Sequence, residues 1–219
     1  MSAAPAPPPE PLTPEACAQA LDVSRETLGR LEAYVALLRR WQTRRNLIGR
    51  GTEGDVWRRH ILDSGQLAAH LPPGARRLVD LGAGAGLPGL VLAILTGAET
   101  TLVEADAAKA AFLTEAARLT EAPCEIRRAR IEDLTPWPVD ALTARALAPL
   151  PRLLAWAAPF AAIAPHPPLC LFPKGARWRK ELTDAARTWH ISARDAPSAT
   201  EPAARILIVE RFARRGRDP

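Results

Sequence analysis

The run Leu78-Val79-Asp80-Leu81-Gly82-Ala83-Gly84-Ala85-Gly86-Leu87-Pro88-Gly89 constrains this chain more than any other segment. An apolar stretch carrying one aspartate passes directly into glycines at every second position. Glycine takes the left-handed backbone without steric cost, so such a run predicts a sharp turn whose main chain approaches a ligand closely. The helix that follows has unpaired N–H groups at its start. Strand, glycine turn and helix in that order place a ligand at the carboxyl edge of a parallel α/β sheet.

Downstream the alternation continues. Strands are predicted at 77–81, 100–104, 124–129, 139–144, 168–172 and 205–211, with helices at 89–96, 106–120, 148–163 and 177–189. The run 190–194 adds a seventh, edge strand. Regular alternation implies right-handed crossovers and a mostly parallel α/β sheet covered on both faces. Upstream the pattern is helical. Thr13-Pro14 reads as an N-cap and first helical residue, and Ser24 opens a second helix whose Leu28, Leu31, Val35, Leu38 and Trp41 recur at spacings of three and four. A third helix is expected at 55–71, stopped by Pro72-Pro73-Gly74. The 219 residues thus divide into a disordered Pro/Ala tail (1–12), an N-terminal helical extension (13–74) and one sheet domain (75–219).

Charge and cysteine usage remove several functional classes. Basic residues number 29 against 24 acidic, a net charge of +5, and only Lys109, Lys174 and Lys180 are lysines. Arginine richness beside 22 prolines reads equally well as the mark of GC-rich coding. The placement says more: Arg25 to Arg59 holds nine arginines and four acids, a surplus equal to that of the whole chain. Attraction to a polyanion is therefore expected to be strongest at the N-terminal end. Cys17, Cys124 and Cys170 are scattered, with no C-x-x-C and no histidine pairing, so neither a disulfide framework nor a metal site is expected. The compartment is expected to be reducing. The first residues have neither a basic nor an apolar secretory region, and the apolar stretch 146–165 is broken by prolines, which suits a buried helix better than a membrane span.

Two chemistries compete for the glycine loop. Gly84-x-Gly86-x-x-Gly89 with Glu104 twenty residues after Gly84 matches the dinucleotide fingerprint of a nicotinamide-dependent oxidoreductase. The longer pattern, Asp80 before Gly82-x-Gly84-x-Gly86, resembles the first motif of S-adenosylmethionine-dependent methyltransferases. There the loop holds the methionine end of the cofactor and the acid after the second strand holds the ribose. A carboxylate at Asp80 suits an ammonium and a sulfonium, and would repel a pyrophosphate.

The acceptor is narrowed by what is missing. Amino-group methylation is associated with Asn/Asp-Pro-Pro-aromatic after the fourth strand, where this chain has Thr143-Ala144-Arg145-Ala146; His166-Pro167-Pro168-Leu169 comes too late and lacks the amide. Pyrimidine C5 chemistry needs a cysteine nucleophile, and Cys124 and Cys170 fall within predicted strands. An atom that is already nucleophilic, such as guanine N7, needs positioning and charge stabilisation rather than a base. In RNA that atom faces a deep, narrow groove, so the target must lie in a loop, bulge or opened structure. The six tryptophans are too dispersed to form a stacking platform.

Taken together, Asn46-Leu47-Ile48, Arg59-His60-Ile61-Leu62-Asp63-Ser64, the loop with its Leu87-Pro88-Gly89, Arg130-Ile131-Glu132-Asp133, Arg145-Ala146 and Lys174-Gly175 resemble the bacterial small-subunit ribosomal RNA guanine-N7 methyltransferase family, also called glucose-inhibited division protein B. The likeness runs in order over about residues 25–211. It implies a Rossmann-like class I methyltransferase fold, S-adenosyl-L-methionine as cofactor, and methylation of N7 of guanine 527 in 16S rRNA. Position by position it implies that Asp80, Gly82, Gly84, Leu87, Ile131, Glu132 and Arg145 line the cofactor pocket, Glu104 holding the ribose. Arg145 and Lys174 are the expected catalytic pair, and Arg130, Lys174, Arg59 and His60 the expected RNA contacts. Alternatives stand beside these roles: salt bridges from the cations to Glu132, Asp133 or Asp140, His60 packed on an inner helical face, and Asp63-Ser64 as a structural hydrogen-bonding pair. The chain departs from the family pattern at Ala83, where Ser or Thr is common, and at Ala107-Ala108-Lys109, which keeps one of two usual basic residues. The implied setting is cytoplasmic, a monomer on 16S rRNA or a small-subunit assembly intermediate, with no membrane. A non-catalytic rRNA-binding assembly factor would use the same cationic edge.

Overall fold

In the computed structural model, which describes residues 10–164 and 166–216, the N-terminal helices start where the capping residues predict. The Thr13 hydroxyl accepts from the Ala16 amide to open α1 (Pro14–Leu21), and Ser24 accepts from Thr27 to open α2 (Arg25–Gln42). Spacing by three and four puts Leu31, Tyr34, Val35 and Leu38 of α2 on one buried face. The tail expected at 1–12 lies outside the described residues as far as residue 9.

The third helix departs from expectation. In place of one helix at 55–71, the chain makes a 3-10 turn (Arg50–Asp55), a π turn (Trp57–Leu62), the single turn α3 (Asp63–Gly65) and a second 3-10 turn (Gln66–His70). The Asp63 amide donates to the Arg58 and His60 carbonyls rather than to Arg59. Apolar spacing at 56, 57, 61, 62 and 67 buries the same side chains under either winding, so the pattern did not distinguish them.

Then follow β1 (Arg77–Leu81), α4 (Gly89–Thr96), β2 (Glu99–Val103), α5 (Ala107–Leu119), β3 (Cys124–Arg127), β4 (Ala141–Thr143), α6 (Leu150–Ile163), β5 (Leu169–Lys174), α7 (Trp178–Ala186), β6 (Trp189–Pro197) and β7 (Arg205–Arg214). The seven strands lie in the order β3-β2-β1-β4-β5-β7-β6. Five are parallel, and β7 runs antiparallel to both β5 and β6. Strand β3 stops at Arg127 and β4 spans only Ala141–Thr143, both shorter than expected, while the edge strand β6 is longer.

One sheet face is buried under α1, α2, α4 and α5, in a cluster that joins Leu31, Leu38 and Ile61 to Leu90, Leu102, Phe112 and Leu113. The other carries Val79, Leu81, Val103 and Leu142 against Leu150, Leu154 and Phe160 of α6 and against Phe172 and Val209. Chain direction across the sheet reverses between β1 and β4, so the loops after these strands open a crevice at their carboxyl ends. Among the described residues no helix is long and apolar enough to cross a membrane.

Candidate active site

The β1–α4 loop is built as its glycines predict. Gly82, Gly84 and Gly86 have φ of 67°, 57° and 85°. A Cβ on Gly82 would sit 2.5 Å from the Leu147 side chain, and one on Gly86 would press on Leu90 and Leu113. The turn closes through Gly86 N–H and Leu87 N–H donating to the Ala83 carbonyl, and Ala83 N–H donates to Val103 at the end of β2. A side chain distant in sequence also holds it: the fully buried Tyr34 of α2 donates its hydroxyl to the Ala85 carbonyl at 2.6 Å.

Asp80 does not face the crevice as expected. Its side chain is fully buried, accepting from Thr143 Oγ1 at 2.8 Å and from the Gly89 amide at 2.9 Å, and it does not line the cleft beside the loop. It ties β1 to β4 and to the start of α4. Burial raises its pKa to about 7, against the lowering by those two hydrogen bonds. The Gly89 amide, which a dinucleotide pyrophosphate would need, is thereby occupied by a carboxyl group.

A cleft of about 560 Å³ is lined by Gly82, Gly84, Leu87, Glu104, Arg130, Ile131, Glu132 and Arg145, which brings together the expected cofactor residues other than Asp80. The Glu104 carboxylate takes the Gly84 amide at 2.9 Å and the Asp106 amide at 2.8 Å. A carboxylate offers about four acceptor sites, so two remain for hydroxyl groups. Glu132 accepts from Arg152 and from Trp156 Nε1, both at 3.2 Å, while Arg130 is exposed at the rim.

A second cleft, about 600 Å³, contains Arg59, Asp63, Lys174, Arg177, Glu181 and Thr200. It shares Gly49, His60, Arg145, Ala146 and Leu147 with the first. Ala146 has φ 51°, a left-handed conformation that costs a non-glycine residue roughly 1–2 kcal/mol. Beside it Arg145 donates from Nη1 to Asp63 Oδ2 at 2.9 Å and to the Arg59 carbonyl at 3.2 Å, and from Nη2 to His60 Nδ1 at 3.0 Å. Guanidinium only donates, so His60 Nδ1 is the acceptor and its Nε2–H donates to Thr52 Oγ1 at 2.8 Å. Thr52 in turn donates to the Gly49 carbonyl. Burial, and secondarily Arg145, lowers the His60 pKa to about 4, consistent with a neutral ring. His60 is therefore both buried and part of the wall, rather than one or the other.

Lys174 is 9% exposed and donates to the Ala148 carbonyl at 2.9 Å and to Glu181 Oε2 at 2.8 Å. It lines only the second cleft, as does Arg59, whose guanidinium meets Glu201 at 3.3 Å. The anticipated Asp63-Ser64 pair does not form: Asp63 bonds Arg145, Thr200 and Gln66, and the Ser64 hydroxyl is buried without a partner among the described residues. Tyr34, Thr52, Glu181 and Thr200 were not anticipated, because each acts through a partner far away or in a different element. The chain's single tyrosine in an otherwise aliphatic buried stripe was the one available hint at Tyr34. Burial pushes the thiols of Cys124 and Cys170 up to about 12, which removes them as nucleophiles near neutral pH.

A family profile described as rRNA small subunit methyltransferase G matches residues 27–205. The chain is 50% identical over 192 residues to a protein of Paramagnetospirillum magneticum named ribosomal RNA small subunit methyltransferase G, covering 88% of this chain and 92% of that one. It is 51% identical over 197 residues to the protein of the same name from Rhodospirillum centenum, covering 90% of each. Solved structures share the fold at low identity. The O-methyltransferase from Bacillus cereus in complex with SAH superposes with a TM-score of 0.58 at 14% identity, over 90% of this chain and 96% of that one. Magnesium protoporphyrin IX methyltransferase from Synechocystis with bound SAM gives 0.54 at 16% identity, over 89% and 98%.

Proposed function

The chain belongs to the rRNA small subunit methyltransferase G family, and from that premise we infer how its two clefts divide the work of methyl transfer. It is an S-adenosylmethionine-dependent enzyme on a Rossmann-like class I fold that methylates N7 of a guanine in small-subunit rRNA. The nicotinamide reading falls with the family assignment. The first cleft fits the methyl donor: Gly82 and Gly84 give bare backbone where a Cβ at Gly82 would collide, and Glu104 keeps acceptor sites for the ribose hydroxyls. Leu87, Ile131 and Glu132 complete the walls, and the family likeness assigns Ile131 and Glu132 to the adenine. Held there by Gly82, Gly84 and Glu104, S-adenosylmethionine would supply an electrophilic methyl group for the N7 lone pair, its carbon–sulfur electron pair staying with sulfur and no proton having to leave.

The residues of the chain have only to bind, orient and exclude water, because the attacking lone pair is already free. Asp80 acts from behind the loop, holding its two ends rather than the cofactor. Arg145 stands in the wall between donor and acceptor. Lys174, with Glu181 and the Ala148 carbonyl, shapes the second cleft and has one N–H left for the RNA. Arg130 takes phosphate at one rim, Arg59 offers the RNA only the N–H groups that its pairing with Glu201 leaves free, and His60 contributes through Arg145. Residues 13–74 serve as a helical extension that presents the arginine-rich surface. The enzyme works in the cytoplasm as a monomer on 16S rRNA or a small-subunit assembly intermediate.

The observation that carries this division is the shared wall: a cleft lined by the glycine loop and Glu104 and a cleft lined by cations meet at Gly49, His60, Arg145, Ala146 and Leu147. Small-subunit RNA and particles from cells lacking the protein, incubated with methyl-labelled S-adenosylmethionine, should take label at one guanine that then becomes cleavable by borohydride and aniline. RNA binding without label would leave the non-catalytic assembly factor.

A further inference from the structure

The cations of the second cleft are unusual in being neutralised. Arg145 is held by Asp63, Lys174 by Glu181, Arg59 by Glu201 at 3.3 Å and Arg205 by Asp195 at 3.3 Å; Arg177 alone of those lining it has no acid partner among the described residues. A surface built only to attract RNA phosphate gains nothing from such pairing. A pocket in which positive charge develops on the ligand does. Methylation at N7 leaves the guanine ring cationic, and a bare guanidinium beside it would oppose the reaction.

The geometry of Arg145 adds a second requirement. Its bonds to Asp63, the Arg59 carbonyl and His60 use three of its five N–H groups, leaving Nε–H and one Nη2 hydrogen without a partner among the described residues. The chain His60–Thr52–Gly49 fixes the imidazole, and the wide turn at Trp57–Leu62 brings the Arg59 carbonyl, His60 and Asp63 onto the same guanidinium. The head is thus immobilised where the two clefts meet, with a side-chain exposure of 16%. Guanine carries O6 next to N7 on the same edge, whereas adenine has an amino donor there. Donors aimed at O6 would seat guanine with N7 free, and would reject adenine.

We propose that the second cleft is the pocket for the acceptor guanine, with Arg145 reading O6 and Asp63 acting as the positioning residue that fixes this guanidinium and cancels its charge. The proposal rests on the methyltransferase reading and adds the base-recognition site to it. Arg177 remains for the phosphate of the seated nucleotide.

The test uses small-subunit rRNA carrying guanine, inosine or 2-aminopurine at the mapped nucleotide, introduced by ligating a synthetic segment. Inosine keeps O6 and N7; 2-aminopurine keeps N7 and loses O6. Inosine should be methylated within a few-fold of guanine, and 2-aminopurine about tenfold to hundredfold less, beyond the ratio with which dimethyl sulfate methylates the same RNAs. In Arg145→Met, which removes every donor while circular dichroism checks the fold, that excess discrimination should collapse. In Asp63→Asn kcat should fall at least tenfold with the dissociation constants for RNA and S-adenosylmethionine held within about threefold. Wild-type protein that uses 2-aminopurine at the dimethyl sulfate ratio overturns the proposal whatever the variants do, as does discrimination retained in folded Arg145→Met. Failure of the parent reading is distinct, because the unsubstituted guanine would then take no methyl group.

Discussion

Asp80 and His60 are both buried and both perturbed, in directions whose effects on stability oppose each other. Asp80 has a folded pKa near 7 against an ordinary value of 3.8, so between these values the folded state holds the extra proton and stability falls as pH rises. His60 has a folded pKa near 4 against 6.5, so over that interval the unfolded state holds the extra proton and stability falls as pH drops. Each slope has a limit of about 1.4 kcal/mol per pH unit, and the two cancel over most of pH 4–6.5. Asp80→Asn keeps an acceptor for the Gly89 amide and sets its NH2 against Thr143 Oγ1, whose hydroxyl then accepts instead of donating, and it should expose the His60 contribution. Urea unfolding from about pH 7 to about 4.5 should show the variant losing stability relative to wild type as pH falls; parallel curves would remove the assignment. Gly82 makes a second residue-scale prediction. Gly82→Arg puts a side chain where even a Cβ is 2.5 Å from Leu147, at φ 67°, and calorimetry should find S-adenosylmethionine affinity reduced at least a hundredfold.

At the scale of elements, α2 supports the cofactor loop and is also fastened to α5. Arg30 caps α5 by donating to the Thr120 and Glu121 carbonyls, and Trp41 Nε1 and Arg40 both meet Glu115. Tyr34→Phe leaves the buried Ala85 carbonyl without its donor, which should cost about 1–3 kcal/mol and weaken S-adenosylmethionine binding several-fold. Thermal unfolding with and without cofactor checks both, and a lowered Tm with unchanged affinity would confine Tyr34 to stability. The same elements explain what could be read in advance. Helices α1 and α2 were legible from Thr13, Ser24 and a spacing that local chemistry dictates, and the glycine loop from backbone sterics alone. The turns between 50 and 70 were not, since burial of Ile61 and Leu62 suits α and π winding alike. Nor was the Arg145 anchorage, which joins residues 82 to 86 positions apart, or Thr200, 137 positions from Asp63. Such pairings are products of topology. The resemblance supplied Arg145 and Lys174 as positions, and the folded chain supplies the partners that decide what they do.

Over the whole molecule, the N-terminal arginine surplus divides into two populations. Arg30, Arg40 and Arg58 are consumed by helix ends and acids, whereas Arg39, Arg44, Arg45 and Arg50 make no ion pair among the described residues. Arg45 also lies near enough to Asp106, beside the cofactor cleft, to add to the lowering of its pKa that the Lys109 amide chiefly causes. Replacing Arg44 and Arg45 by alanine should therefore reduce the slope of log K for RNA against log salt by about one unit for each phosphate no longer neutralised, while leaving S-adenosylmethionine affinity unchanged. An unaltered slope would place the RNA elsewhere. The fastening of α2 to both the loop and α5 has a consequence for what the enzyme can accept. On the proposed reading, Arg44 and Arg45 follow directly on α2, so the hydrogen bonds that tie this helix to the β1–α4 loop and to α5 also link the RNA grip to the methyl-transfer point. We expect an RNA that holds its guanine at another distance from the gripped strand to be a poorer substrate, so that the shape of the RNA counts as well as the identity of the base.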